Sequence, residues 1–445
     1  MERRTLIIGS GPCAVNIAEN LMAQGINIVV AAGEKKNPTL EALKSDQAEI
    51  LFKARMKSCN GFVGNFNVSI DVDSEKLERA VSNIIIAEED LREPKFSDYG
   101  LLPTDNVVSL TEIVERQGPD AGIADIKKVV FVTGLNNEGN PVITADIMQT
   151  CLRMQTDLDI STYILTRNLK VGDNGLEKLY RDTKEAGTVY IKFTEETPEI
   201  RQDDAGKISI LFLDEITREN FRLTPDITVI DEEILPSSDL ERLAKIFRID
   251  TDRFGFLQAD NVHRLNVLTN RKGITVAGPS RGIQSHAQQM TDAADAVMAT
   301  LELFEAEYDG ETIKAEIAPG KCVRCLTCLR VCPHRAIRLN ASVSVVPAAC
   351  ECCGICTAEC PRGAIKIKGL DSSDILGGPD RLQNNAEMEA SVPVITAFCC
   401  SRSAAMAWKL SSRMGLDLPQ GLNVIEIPCG GIVSLDYVFA AFRAN

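Results

Sequence analysis

The sequence predicts an α/β protein in four parts. They are a Rossmann-like nucleotide-binding domain, a second α/β domain inserted into it, a small α+β domain built around cysteines, and a small α/β tail. Three observations carry that expectation. A glycine fingerprint stands between an apolar strand and a helical pattern within residues 5–31. One cysteine run occurs twice, at 322–333 and 350–361. Residues 392–445 read as strand, helix, strand and turn.

In the first part, Thr5-Leu6-Ile7-Ile8 is a short strand. Gly9-Ser10-Gly11-Pro12-Cys13-Ala14 follows, and Val15, Ile17, Ala18, Leu21 and Met22 then recur at helical spacing. Gly25 ends that helix, and Ile26–Ala31 is the next strand. G-x-G-x-x-A thus has the strand–turn–helix setting that a dinucleotide fingerprint requires. Gly9 permits the turn, Gly11 admits a pyrophosphate, and Ala14 lets the helix pack closely. The helix N-terminus faces the phosphates. The acid expected after the second strand falls at Ala32, and Glu34 is its nearest replacement. A domain whose nucleotide site has decayed is the competing expectation. No second fingerprint follows. Strand Lys128–Val132 leads into Thr133-Gly134-Leu135-Asn136-Asn137, which lacks a phosphate loop, so NAD(P)H is not expected.

The third part is set by cysteine. Of fifteen cysteines, nine lie between 322 and 360. Residues 322–333 read C-VR-C-LT-C-LRV-C-P and residues 350–361 read C-EC-C-GI-C-TAE-C-P. Both are C-x2-C-x2-C-x3-C-P, the run of bacterial two-cluster ferredoxins, in which the fourth cysteine of each run serves the other cluster. One [4Fe–4S] cluster is therefore expected on Cys322, Cys325, Cys328 and Cys360, and the other on Cys350, Cys353, Cys356 and Cys332. Zinc wants a single set of four ligands, not two interleaved quartets. Cys352 is read as a non-ligand, and His334 as a surface residue near a cluster.

The whole-chain balance narrows the function classes. Net charge is −15, which argues against nucleic acid. No apolar run reaches the ~18–20 residues of a membrane span. Leu6-Ile7-Ile8 is too short for a signal peptide, so a cytoplasmic location is expected, with any membrane association arising through partner subunits.

Taken in order, these segments resemble the A subunit of heterodisulfide reductase and its relatives. Gly61-Phe62-Val63-Gly64-Asn65-Phe66 is similar to one family segment, and Asn168–Lys170 with Gly175–Tyr180 to another. Lys272–Gly282, with the small-residue helix Ala287–Ala299, is similar to the family's second flavin segment. The resemblance implies a disulfide-reductase type of fold, FAD as the flavin, and flavin contacts at Gly64, Asn65 and Gly278; at the start of the helix that follows, Gln288 or His286 is placed to touch the ring edge, with a surface helix-capping role as the alternative for His286. It also implies partner subunits like the other subunits of heterodisulfide reductase. Related subunits occur in quinone-interacting oxidoreductases and class II benzoyl-coenzyme A reductases. The sequence departs from the family in two acidic turns, Ile86-Ala87-Glu88-Glu89 and Ile230-Asp231-Glu232-Glu233, and in lacking cysteines across 134–150. Electron bifurcation therefore does not follow from the resemblance.

Expected boundaries are 1–125 with 255–305 for the flavin domain, 126–254 for the insertion, 306–370 for the ferredoxin domain and 371–391 for a linker. Residues 392–445 resemble the first half of the delta subunit of methyl-viologen-reducing hydrogenase. With Cys399, Cys400 and Cys429 alone, this tail is either a docking element or a cluster site completed by another chain. The function expected is an FAD- and iron–sulfur-dependent electron-transfer subunit of a larger redox complex, with no catalytic acid, base or nucleophile. The alternatives are a self-contained NAD(P)H-dependent iron–sulfur flavoenzyme, and a scaffold that keeps only the clusters.

Overall fold

A computed structural model describes residues 3–33, 37–116, 126–136, 138–194, 196–204, 206–258, 265–305, 315–346, 349–371, 395–401, 403–416 and 421–444. Glu34 and the expected linker 372–391 lie outside the described residues. The chain divides into two compact units. One comprises residues 1–89, 238–282 and 286–445, and the other residues 90–237 with 283–285.

The first unit is built on a five-stranded sheet in the order Ile274–Val276, Asn83–Ile86, Arg4–Ile8, Asn27–Ala31, Ala48–Leu51, every pairing parallel. Its central strands are unbroken apolar runs because both faces are covered. Helix Pro12–Ala23 lies on one face and buries Cys13, Ala14, Ile17, Ala18 and Leu21. It packs with helix His286–Glu305, whose Ala293 and Ala296 are fully buried. The other face is covered by an antiparallel sheet, Ala54–Phe62, Asn65–Val72 and Glu75–Val81, together with helix Leu240–Phe247. Strand order reverses between Arg4–Ile8 and Asn83–Ile86. The ligand crevice of such a sheet opens there, beyond the carboxyl ends.

The second unit repeats the plan. Its parallel sheet runs Val189–Lys192, Ser161–Thr166, Lys128–Val132, Ile227–Ile230, Val107–Ser109. The unit boundaries fall at 89/90 and 237/238 rather than at the expected 125/126 and 254/255. The reason is pairing and packing. Val107–Ser109 joins the second sheet, and Leu240–Phe247 buries its apolar side in the first unit.

The ferredoxin segment belongs to the first unit. Two small hairpins, Ala315–Ile317 with Ile365–Ile367 and Ile337–Leu339 with Val343–Val345, flank helices Thr327–Val331 and Ile355–Ala358. In the tail, Ile395–Cys400 pairs in parallel with Leu422–Ile427, beside helices Ala404–Arg413 and Leu435–Ala444. Among the described residues no helix is long and apolar enough to cross a membrane.

Phe66 is fully buried where the antiparallel sheet meets the parallel one. Phe66→Ala should cost about 3–5 kcal/mol of unfolding free energy, read by chemical denaturation of the first unit's transition. A loss under ~1 kcal/mol would show that this layer does not hold the sheet.

Candidate flavin and iron–sulfur centres

The nucleotide loop is shaped by what glycine omits. Gly9 has φ +134, and a Cβ there would lie 1.9 Å from the Ala87 carbonyl oxygen. Its N–H donates to the Ala31 carbonyl at 3.0 Å. A Cβ on Gly11 would lie 2.7 Å from Glu89 Cγ, so the Glu89 side chain overlies the loop. The Ser10 carbonyl accepts from Asn37 Nδ2 at 2.6 Å. Pro12 opens the helix, and no side chain caps its N-terminus. Those first N–H groups thus remain for an anion. Ala14 is fully buried, as close packing requires.

Gly278, at φ +61, comes against Cys13, where a Cβ would meet Sγ at 2.9 Å. Cys13 is buried and bonds the Gln289 carbonyl. Burial, with Asp292 adding, pushes its thiol up to about 12. It is a packing thiol, not a nucleophile. Asp292 accepts from Gly278 N at 3.1 Å and from Arg281 through two bonds of 2.9 Å. Sequence reading missed this clasp because its parts are ordinary residues on a helix and a turn. His286 and Gln288 are exposed on the first turn of the long helix.

Gly64 and Asn65 are placed elsewhere. Gly64 N donates to Ser82 O, and Ser82 N to Arg4 O. Their hairpin therefore sits at the amino ends of the strands, opposite the glycine loop across a strand ~13 Å long. They do not line the crevice with Gly9 and Gly11.

The acidic turn is at the crevice. Glu88 N donates to Ser280 Oγ at 2.7 Å, and that hydroxyl bonds the Glu88 carbonyl in return. Burial raises the Glu88 carboxyl to about 7, Asp239 and Glu89 add, and Arg242 opposes them. The other acidic turn closes the second unit's crevice. Asp231 accepts from Tyr99 Oη at 2.9 Å, Thr133 Oγ1 at 3.0 Å and Gly134 N at 3.2 Å. A buried carboxyl group at the end of Ile227–Ile230 thus bonds the turn after Lys128–Val132, the place of the phosphate loop in a dinucleotide domain.

The eight motif cysteines gather as two groups. Cys322, Cys325, Cys328 and Cys360 line one cage with Val323, Arg324, Leu326, Thr327, Pro361 and Arg362. Cys356 is pushed up to about 12 by burial, with Cys353, Cys350, Cys332 and Cys328 adding. Buried thiols this close repel one another as thiolates and can ionise together only around a cation. Among the described residues no three His, Cys, Asp or Glu converge on a point suited to a single ion.

The two halves match in detail. Cys332 Sγ accepts from Ala336 N at 3.3 Å, and Cys360 Sγ from Ala364 N at 3.2 Å. Arg324 and Cys352, at equivalent places in the two loops, both have positive φ, 54 and 53. Cys352 is therefore a turn position. His334 differs from expectation. It is buried, with Nδ1 3.0 Å from the Asn270 carbonyl oxygen, because the ferredoxin segment packs on the flavin domain at this point.

Comparison with known proteins bears on this arrangement. A family model described as "4Fe-4S binding domain" matches residues 315–338, and one described as "Methyl-viologen-reducing hydrogenase, delta subunit" matches residues 395–445. The iron-sulfur A subunit of CoB–CoM heterodisulfide reductase from Methanocaldococcus jannaschii is 26% identical over 305 residues, covering 63% of this chain and 46% of that one. Its counterpart from Methanopyrus kandleri is 24% identical over 300 residues, covering 61% and 44%.

The chain is similar to the A subunits of heterodisulfide reductase. It spans less than half the length of these relatives. Thioredoxin reductase from T. acidophilum gives a TM-score of 0.44 at 16% identity, covering 68% of this chain and 98% of that one. A flavoprotein disulfide reductase from Escherichia coli gives 0.44 at 11%, covering 71% and 75%.

The delta-subunit-like tail rests on the chain's own ferredoxin segment. A Cβ on Gly354 would lie 2.4 Å from Ile432, and one on Gly431 would lie 2.4 Å from Ile355. Tyr437 Oη donates to the Leu370 carbonyl at 2.6 Å. Burial pushes the Cys353 thiol up to about 11, and the nearby Cys429 adds to the shift. Cys399 and Cys400 stand on strand Ile395–Cys400. Ile432 is fully buried at this contact. Ile432→Ala should release the tail, seen as faster hydrogen exchange across 422–444 with iron content retained. Unchanged exchange would mean the contact does not hold it.

Proposed function

We propose that this chain is an FAD- and iron–sulfur-dependent electron-transfer subunit of a multi-subunit redox complex, relaying electrons between its flavin and partner subunits. One observation carries it. The cysteine loops pack directly on the nucleotide-binding domain within one compact unit: Glu351, next to Cys350, accepts from Lys272 N at 2.9 Å, and His334 meets Asn270. When bound, the flavin exchanges electrons singly or in pairs, and each cluster carries one at a time.

The chain's own residues do the holding. Gly9 and Gly11 clear the crevice, and the N-terminus of helix Pro12–Ala23 offers N–H groups to a pyrophosphate. Gly278, fixed by Asp292, brings the second flavin segment against Cys13. The two interleaved cysteine quartets hold the clusters. The plugged crevice at Asp231 speaks against NAD(P)H as this chain's own donor. Partner subunits like the other subunits of heterodisulfide reductase, and a cytoplasmic site of action, are part of the proposal. So is the tail as an element that joins the ferredoxin segment to such a partner.

The deciding experiment is anaerobic purification with flavin extraction, followed by addition of NADH and NADPH. About one FAD per chain, unbleached by either nucleotide, is expected. Prompt bleaching would favour a self-contained flavoenzyme, and flavin near zero a cluster-only scaffold.

Glu88 adds a pH signature. Its folded carboxyl keeps a proton up to about 7, whereas the unfolded chain releases it near ~4.3. Stability from this group is therefore full at low pH, falls as pH rises from about 4.3 to about 7, and is flat above. Ionised Glu88 also opposes a pyrophosphate. FAD affinity should weaken above pH ~7 by at most about tenfold per pH unit, and Glu88→Gln should abolish that slope. An unchanged slope in the variant would place Glu88 away from the phosphates.

A further inference from the structure

A cavity of about 370 Å³ opens in the first unit, at the end of its parallel sheet away from the glycine loop. Strands Asn83–Ile86 and Ile274–Val276 both start there, and the second half of helix His286–Glu305 forms one wall, from Ala299 to Leu303. Gly9, Gly11 and Gly278 belong to the opposite, carboxyl ends of the same sheet. The cavity and the proposed flavin crevice are therefore separate. Small-molecule sites enclose ~300–1,000 Å³, and this volume lies at the lower end of that range.

The lining combines a buried cation with apolar walls. Arg271 is 5% exposed, and its Nη1 donates to the Phe247 carbonyl at 2.9 Å. Burial works against its charge and pulls its pKa down, while Cys59 and Glu351 oppose that shift. A guanidinium stays charged even so, and its planar fork suits a carboxylate. Lys272 lines the same cavity and is exposed. Two acids face it as well: Glu351 accepts from Lys272 N at 2.9 Å, and Glu302 is exposed. Of these four charged residues only Arg271 is buried, so the charge that a desolvated ligand meets is positive. Asn83 is buried beside it. Its Nδ2 donates to Thr300 Oγ1 at 2.8 Å and its Oδ1 accepts from Thr5 Oγ1 at 2.6 Å, so one N–H of that amide is uncommitted among the described residues. Leu268, Ile274 and Leu303 make the remaining wall apolar.

We propose that this cavity binds a small organic carboxylate with a short aliphatic body. The carboxylate meets Arg271, and the chain covers Leu268, Ile274 and Leu303. An apolar pocket with a few convergent polar groups is the usual form of such a site. Glu351 adjoins Cys350, so an occupant reaches from the nucleotide-binding domain to the loop that carries one cysteine quartet. No bond is made or broken. The ligand acts by holding that loop against the domain. The site does not depend on the proposed electron-transfer role. The competing account is a water-filled packing gap, which predicts no saturable binding.

The test uses the full chain, purified anaerobically in a buffer free of phosphate and carboxylates. It is titrated by calorimetry with acetate, butanoate and hexanoate. Hexanoate should bind with a Kd of about 1 mM or tighter, and each added methylene should tighten binding about fourfold. Inorganic phosphate leaves the apolar wall uncovered and should bind at least about tenfold more weakly than hexanoate. Bound hexanoate should slow hydrogen exchange across 350–356 and leave flavin and iron content unchanged. Ala299→Phe, which fills the cavity, should abolish binding, and Arg271→Met should weaken it about tenfold or more. Phe442→Ser, at an exposed apolar residue of the tail, should have no effect. If either cavity variant does not fold, the chain-length series on the unaltered chain decides. Absent binding, affinity independent of chain length, phosphate equal to hexanoate, or unchanged binding by folded Ala299→Phe overturns the site. An unaltered chain that retains neither flavin nor iron overturns the proposed function instead.

Discussion

Four thiols crowded into one buried loop system repel each other as thiolates. The more completely they are buried, the more strongly they hold their protons. Cys356, pushed up to about 12 by burial and then by its neighbours, shows the size of that penalty. A multivalent cation among the sulfurs reverses it, and in reversing it fixes the loops, so that metal binding and local folding are one process. The ferredoxin segment has little else to hold it. Its strands are three residues long, and its helices are four and five. Its core is largely the cysteines themselves with a few alanines, isoleucines and valines. The contacts to Lys272, Asn270 and Ile432 all hang on loops set by those sulfurs.

The flavin crevice shows a different balance. Glycine at positions 9 and 11 leaves room for backbone to approach a phosphate, yet the Glu89 side chain stands over the same opening, with Glu88 next to it in the chain. The conflict is eased by burial: Glu88 keeps its proton to near neutrality. In the second unit Asp231 is held in a hydrogen-bond network of Tyr99, Thr133 and Gly134.

Sequence was informative wherever chemistry is set by near neighbours. The glycine turn between Ile8 and Pro12, and the spacing that brings Cys322, Cys325 and Cys328 to one loop, are local constraints. The return of Cys360 to that cage follows from the interleaved motif. Placement across the chain was not legible. Gly64 and Asn65 look like a binding turn, but hydrogen bonds to Ser82 put their hairpin at the wrong end of the sheet. His334 reads as a surface residue because nothing local reveals that Asn270 will cover it. The boundary near residue 90 depends on Val107–Ser109 pairing with Ile227–Ile230, more than a hundred residues away. Likewise Gly354 reads as an ordinary loop glycine until Ile432 is seen to fill the space above it.

The central claim is that eight cysteines form two interleaved quartets rather than two consecutive ones. Electron paramagnetic resonance of the dithionite-reduced chain tests it most directly. Two magnetically interacting four-iron signals summing to about two spins per chain are expected. Cys328→Ser and Cys360→Ser should alter the same signal, although Cys360 lies in the other run. A spectrum in which Cys360→Ser alters the signal tied to Cys353 and Cys356, or a single isolated signal near one spin, would contradict the account.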